Sequence, residues 1–206
     1  MARHPFELVP FPDPTPTDST ASGPTTALTN PKLTIQGQLS LDPREQGGPA
    51  LELLIELTTA AGHPGLEALL IPEAQATPGA PRRDGLWEHT CLECFVAPAG
   101  QPSYLEFNLC PDGAWNVYAL EGYRQGLKPA AGFDALPFDC QRSASALSLS
   151  LRCQLPEAWA TATAFDWQVS AVLEQRGGLL SYWALRHPAG AADFHARPQW
   201  TQASPL

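Results

Sequence analysis

Apolar and polar residues alternate with period two along much of this chain, and the alternation is clearest between positions 82 and 124. Leu92, Cys94 and Val96, then Leu105, Phe107 and Leu109, then Trp115, Val117 and Ala119 fall on one side. Glu93, then Tyr104, Glu106 and Asn108, then Asn116 and Tyr118 fall on the other. Successive side chains of a strand point to opposite faces, so the stretch predicts three short strands with one apolar and one polar face. The breaks fall at 98–100 and at the Pro111-Asp112-Gly113 turn.

The same period recurs elsewhere. Residues 33–41 alternate through Leu33, Ile35, Gly37, Leu39 and Leu41, and Leu51, Leu53, Ile55 and Leu57 repeat the pattern. Residues 145–155 alternate again, and 168–174 and 179–186 read as a hairpin around Arg176-Gly177-Gly178. Residues 6–9 predict a first edge strand, 126–140 an irregular stretch and 187–206 an irregular tail. Nine or ten strands with frequent turn signals and no amphipathic helix predict an all-β fold. It is read as a single-domain antiparallel β-sandwich of jelly-roll or immunoglobulin-like arrangement. The domain spans 1–206, with a Pro/Thr-rich loop at about 10–31.

At 206 residues the chain is long enough to bury a substantial core. The formal charge of −9 disfavours nucleic acid and anionic membrane as partners. No apolar run approaches the roughly 18–20 residues that a membrane helix requires. The first residues lack the apolar centre of a secretory signal, and the five cysteines do not pattern as a disulfide framework, so the expected location is cytoplasmic. Cys91 and Cys94 spell C-x-x-C, yet residues three apart on a strand face opposite ways, which disfavours a zinc or redox site.

Candidate chemistry lies on the polar face and in the tail. Six tryptophans are mostly what a sandwich core uses as filler, but Trp87 stands among Arg82, Arg83, Asp84, Glu88 and His89. An aromatic there offers its face to a sugar ring, and Glu93 and nearby carboxamides offer hydrogen bonds to its hydroxyls. A second cluster, Trp183, Arg186, His187, Asp193, His195 and Arg197, reads as a loop folding over the polar face, with Tyr123 and Arg124 at the border. The bland alternative is a tail tied down by ordinary bonds, with Asp193 pairing Arg197. A metal triad of His187, Asp193 and His195 matches no known signature, and glycoside hydrolysis by Glu93 and Glu106 stays as a minor alternative.

Four runs, DGLWEHTCLECFV, YLEFNLCPDGAWNVYALEGYRQG, SYWALRHP and ADFHAR, resemble the DOMON-like proteins of bacteria. These are related to the family 9 carbohydrate-binding modules and more remotely to haem-binding cytochrome domains. The resemblance covers about 7–194 and implies a β-sandwich with a ligand site on its concave sheet. By position in the motif, Trp87 and Glu93 match the family's first tryptophan and its glutamate, and Trp183 is the candidate for the second tryptophan. Asn108, Asn116, Tyr118, Arg124, His187, His195 and Arg197 complete the candidate ligand-binding set by face or by placement. The resemblance thus implies a non-catalytic module binding a saccharide or similar polyhydroxylated molecule. Its alternatives are a haem- or metal-binding electron-transfer or sensor domain, and an interaction scaffold without ligand. Haem ligation by Met and His cannot be built, since Met1 is the only methionine, which leaves bis-His pairs from His89, His187 or His195. The family's calcium ligands map onto no definite residues.

Overall fold

The computed structural model describes residues 3–12, 33–42, 48–60, 66–73 and 82–203. The fold is all-β, with twelve strands and no α-helix among the described residues. One layer is β1 (Arg3–Pro10), β2 (Leu33–Asp42), β3 (Ala50–Thr59), β9 (Ala146–Gln154) and β8 (Phe138–Arg142), in that order. The other runs β7 (Lys128–Pro129), β6 (Trp115–Leu120), β5 (Tyr104–Leu109), β4 (Cys91–Pro98), β10 (Phe165–Glu174) and β11 (Leu180–Ala184). A short β12 (Thr201–Ala203) adds to the far end of β10. All pairings between these strands are antiparallel.

The first strand is not an edge. Along most of its length β1 pairs with β2, but at Val9 and Pro10 it pairs with Ala184 and Trp183 of β11, so one strand belongs to both layers. The tail likewise ends in a strand rather than an irregular run, and 126–140 contributes β7 and the start of β8. The Pro/Thr-rich loop falls largely on residues 13–32, outside the described residues.

Alternation explains what the sandwich encloses. Ile35, Leu39, Ile55, Leu57, Leu147 and Leu149 meet Leu92, Cys94, Val96, Phe107, Val117, Val169 and Leu173 in one core. Each such side chain, once buried, contributes about 1.5–3 kcal/mol. Cys91 and Cys94 do face opposite ways, Cys94 into this core and Cys91 into a small outer cluster with Leu86, Cys110 and Ala114. The outer face of the second layer is therefore the one that can meet a ligand.

Candidate functional site

Two cross-strand rows cross that outer face. Ser170, Glu93, Asn108 and Asn116 stand side by side on β10, β4, β5 and β6. Beside them run Gln168, Phe95, Glu106 and Tyr118. The face is not open to water, as the alternation alone suggested. Glu93, Glu106, Asn108, Asn116 and Tyr118 are all buried, because two chain segments fold over it.

The first cover is 82–89. Arg82 stacks on Trp115 with its guanidinium 5.4 Å from the ring and hydrogen-bonds Asn116 Oδ1 and the Val117 and Ala130 carbonyls. Asp84 accepts from the Tyr118 hydroxyl at 2.6 Å and from Asn116 Nδ2 at 2.8 Å. Gly85, at φ 73, turns the chain into a 3₁₀ turn, Leu86–Glu88, in a backbone region that a side chain disfavours. Leu86 plugs the outer cluster, and its neighbour Trp87 is left 36% exposed, its ring edge-on to Tyr118 at 5.6 Å.

The second cover is 193–200. Asp193 accepts hydrogen bonds from the Tyr123 hydroxyl and the Arg124 guanidinium, at 2.6 and 2.9 Å. Trp200 packs on Phe95 and Tyr104 and donates its indole N–H to the Phe194 carbonyl. Arg197 pairs with Asp166 at 2.8 Å and lies over the Trp200 ring. Asp193 thus pairs Arg124, and Arg197 pairs Asp166, in place of the expected Asp193–Arg197 pair.

Between the covers lies a cavity of about 380 Å³. Its walls are aromatic and aliphatic, from Trp87, Phe95, Leu127, Val172, Tyr182 and Phe194, and its polar lining is Glu93, Glu106, Arg124 and His195. Two hollows of about 580 and 630 Å³ lie elsewhere. In the first of these most of the charged groups are already engaged: Arg83 with Asp112, His89 with Glu174, Asp84 with Tyr118 and Asn116, and Arg176 with a backbone carbonyl.

The carboxyl groups in the smaller cavity are not so satisfied. Glu93 accepts from the Ser170 hydroxyl at 2.8 Å, and Glu106 Oε1 accepts from Asn108 Nδ2 at 2.8 Å. Glu106 Oε2 is buried without a hydrogen-bond partner, 4.0 Å from His195 Nε2. Burial, and then the nearby Glu106 charge, push Glu93 up to about 8, and burial raises Glu106 as well. Near neutral pH Glu93 therefore keeps its proton. Burial, reinforced by Arg124, pushes His195 down to about 4, so its imidazole is neutral. Burial raises Tyr104 to about 12, so its phenol keeps its proton; with that proton assigned to the 2.6 Å bond, the phenol donates to His195 Nδ1. That assignment leaves the ring proton on Nε2, facing Glu106.

Of the residues singled out in the sequence, Trp87, Glu93, Arg124 and His195 come together at the cavity. Asn108, Asn116 and Tyr118 do not line it. Their polar atoms are spent on Glu106, Arg82 and Asp84, and they shape the cavity from behind. Trp183 lies on the wrong side of its strand, buried in the core with its indole N–H on Ser181. Its neighbour Tyr182 projects outward opposite Val172 and takes that place in the wall. His187 binds the Val9 carbonyl at 2.9 Å and Arg197 secures the second cover, so both hold the fold. The proposed triad of His187, Asp193 and His195 is dispersed among separate partners, and no metal-binding group of three His, Cys, Asp or Glu side chains occurs among the described residues. Glu106, Tyr182 and Phe194, with the aliphatic and aromatic Phe95, Leu127 and Val172, are wall residues absent from the ligand set read from the sequence.

No protein-family model matches the chain, and no curated protein matches it either. Among solved structures, a Bacteroides uniformis protein provisionally designated carbohydrate-binding shares the fold at TM-score 0.58 and 11% identity, over 98% of this chain and 85% of that one. A family 9 carbohydrate-binding module from Caldicellulosiruptor kristjanssonii, solved with glucose, aligns at TM-score 0.41 and 10% identity, over 84% and 76% of the two chains. The class defined by fold is thus an antiparallel β-sandwich of the kind found in a provisionally designated carbohydrate-binding protein.

Proposed function

We propose that the cavity binds a saccharide or similar polyhydroxylated small molecule without transforming it. The observation that carries this reading is the juxtaposition of a partly exposed Trp87 with two buried carboxyls, Glu93 and Glu106, in one 380 Å³ space. An aromatic face takes the C–H side of a sugar ring, while a carboxylic acid beside a carboxylate both donates to and accepts from vicinal hydroxyls. His195 Nε2–H and the Arg124 guanidinium add donors at the rim. The designation of the Bacteroides protein sharing this fold supports the same class of ligand.

One aromatic face and a few hydrogen bonds correspond to millimolar to micromolar affinity, on the order of −4 to −8 kcal/mol. Titration with glucose, cellobiose and xylobiose, followed by tryptophan fluorescence, tests the reading. A saturable change that disappears in Trp87→Ala is expected, and a flat response at tens of millimolar from folded protein would retire it. Glycoside hydrolysis is the second reading, favoured by the raised pKa of Glu93 beside a second carboxyl. Release of free sugar from aryl glycosides, lost in Glu93→Gln while binding persists, would establish it.

A further inference from the structure

Neutral hydroxyls do not answer everything this cavity presents. Glu106 Oε2 is inside the protein with no donor, and the side chain that carries it is 6% exposed. An orphan acceptor at this depth demands a donor from whatever enters. Glu93 stands diagonally across on the neighbouring strand, with only the Ser170 hydroxyl on it. The walls above them, Trp87, Phe95, Tyr182 and Phe194, present ring surface, which attracts positive charge electrostatically.

Resting on the site assigned above, we infer that its preferred occupant is a hydroxylated organic ammonium ion, such as an amino sugar, whose N–H groups bind Glu106 Oε2 and whose charge is met by the Glu93–Glu106 pair between aromatic walls. A neutral sugar leaves Glu93 needing its proton. An ammonium replaces that proton, which passes to solvent as the ligand binds.

The other groups around the pair do not supply the missing cation. From β4 come Cys91 and Phe95, and Cys91 stays a thiol because burial raises it well above its usual range. From β5 come Tyr104 and Asn108, and from β10 Ser170, all uncharged. From the covers come neutral His195 and Arg124, whose guanidinium is held by Asp193. The Arg124 charge reaches Glu106 and works against the effect of burial, but its guanidinium is paired with Asp193 at 2.9 Å and makes no hydrogen bond to Glu106 Oε2.

The test is calorimetric titration with glucose, glucosamine and choline at pH 6.5, repeated in two buffers of different ionisation enthalpy. Glucosamine is expected to bind at least tenfold tighter than glucose, with proton release that glucose does not show. Choline, whose charge is fixed, is expected to tighten as pH rises from 6.5 to 8.5. Glu106→Gln should lower glucosamine affinity at least tenfold more than glucose affinity, and its far-ultraviolet circular dichroism verifies folding. Glu93→Gln should abolish the proton release. Equal affinity for glucose and glucosamine overturns the inference and leaves the saccharide reading intact. Binding of choline, which has no N–H, but of neither sugar overturns the N–H contact to Glu106 and removes the saccharide. No binding of any of the three rejects both.

Discussion

Tyr104 and His195, 91 positions apart, are joined by a 2.6 Å hydrogen bond that fixes which imidazole nitrogen faces the cavity. The phenol rises from the sheet and the imidazole descends from the covering segment. The bond is therefore both a clasp on that segment and the device that aims Nε2–H at Glu106.

Burial of His195 makes stability pH-dependent. The His195 pKa, about 4 in the fold, lies below the usual 6.5, so its contribution is complete above 6.5 and is lost as pH falls through 4. The loss is roughly 3 kcal/mol at most. His195→Gln should remove this acid-side decline when melting temperature is followed from pH 7 to 3.5.

Glu93 tilts the other way. Its pKa is raised from 4.5 to about 8, so the fold is favoured below 4.5 and loses stability as pH rises toward 8. Between 4.5 and 6.5 the two groups oppose each other and the wild-type curve flattens. Above 6.5 Glu93 dominates. Glu93→Gln, which keeps an acceptor for Ser170, should melt higher than wild type at pH 8 and expose the rising limb at lower pH. Unchanged melting at pH 8 would show that Glu93 ionises without penalty.

Two tryptophans separate binding from folding. Trp87→Ala should weaken saccharide binding by about 1–3 kcal/mol and barely move the melting temperature, because the ring is partly exposed. Trp183→Ala removes an indole from the core and should cost about 3–5 kcal/mol of stability. Paired fluorescence titration and thermal melts check both. The opposite assignment would return Trp183 to the site.

Arg197 ties down the covering segment from below. Arg197→Ala loses the ion pair to Asp166, the bond to the Pro98 carbonyl and the stacking on Trp200. A drop of about 1–3 kcal/mol is expected, with weaker ligand binding as the Phe194–His195 wall loosens. Lys128→Ala, which breaks a fully wet pair with Glu121, is the control and should leave both unchanged.

The face of each strand was legible because period two is a local rule. Leu92, Cys94 and Val96 go in and Glu93 goes out wherever the strand lies. What covers the outward face is not local. Nothing in the composition around Asn116 announces that Arg82 and Asp84 consume its carboxamide, since those bonds depend on the path of a loop. Trp183 and Tyr182 differ by one position, and only the pairing of Val172 with Tyr182 decides which ring turns outward. Residues 6–9 read as an edge strand, whereas β1 joins both layers, because its membership of the second rests on just two pairs at Val9 and Pro10. A one-residue ambiguity in a strand moves a side chain across the sheet.

Strand β1 has a consequence for how the protein is made. Val9 meets Ala184 in the ladder and His187 through its carbonyl, the latter 178 positions later. A nascent chain on the ribosome cannot close the two layers at this strand until residues through 187 have emerged, so β1 must wait with its pairings to β11 unmet.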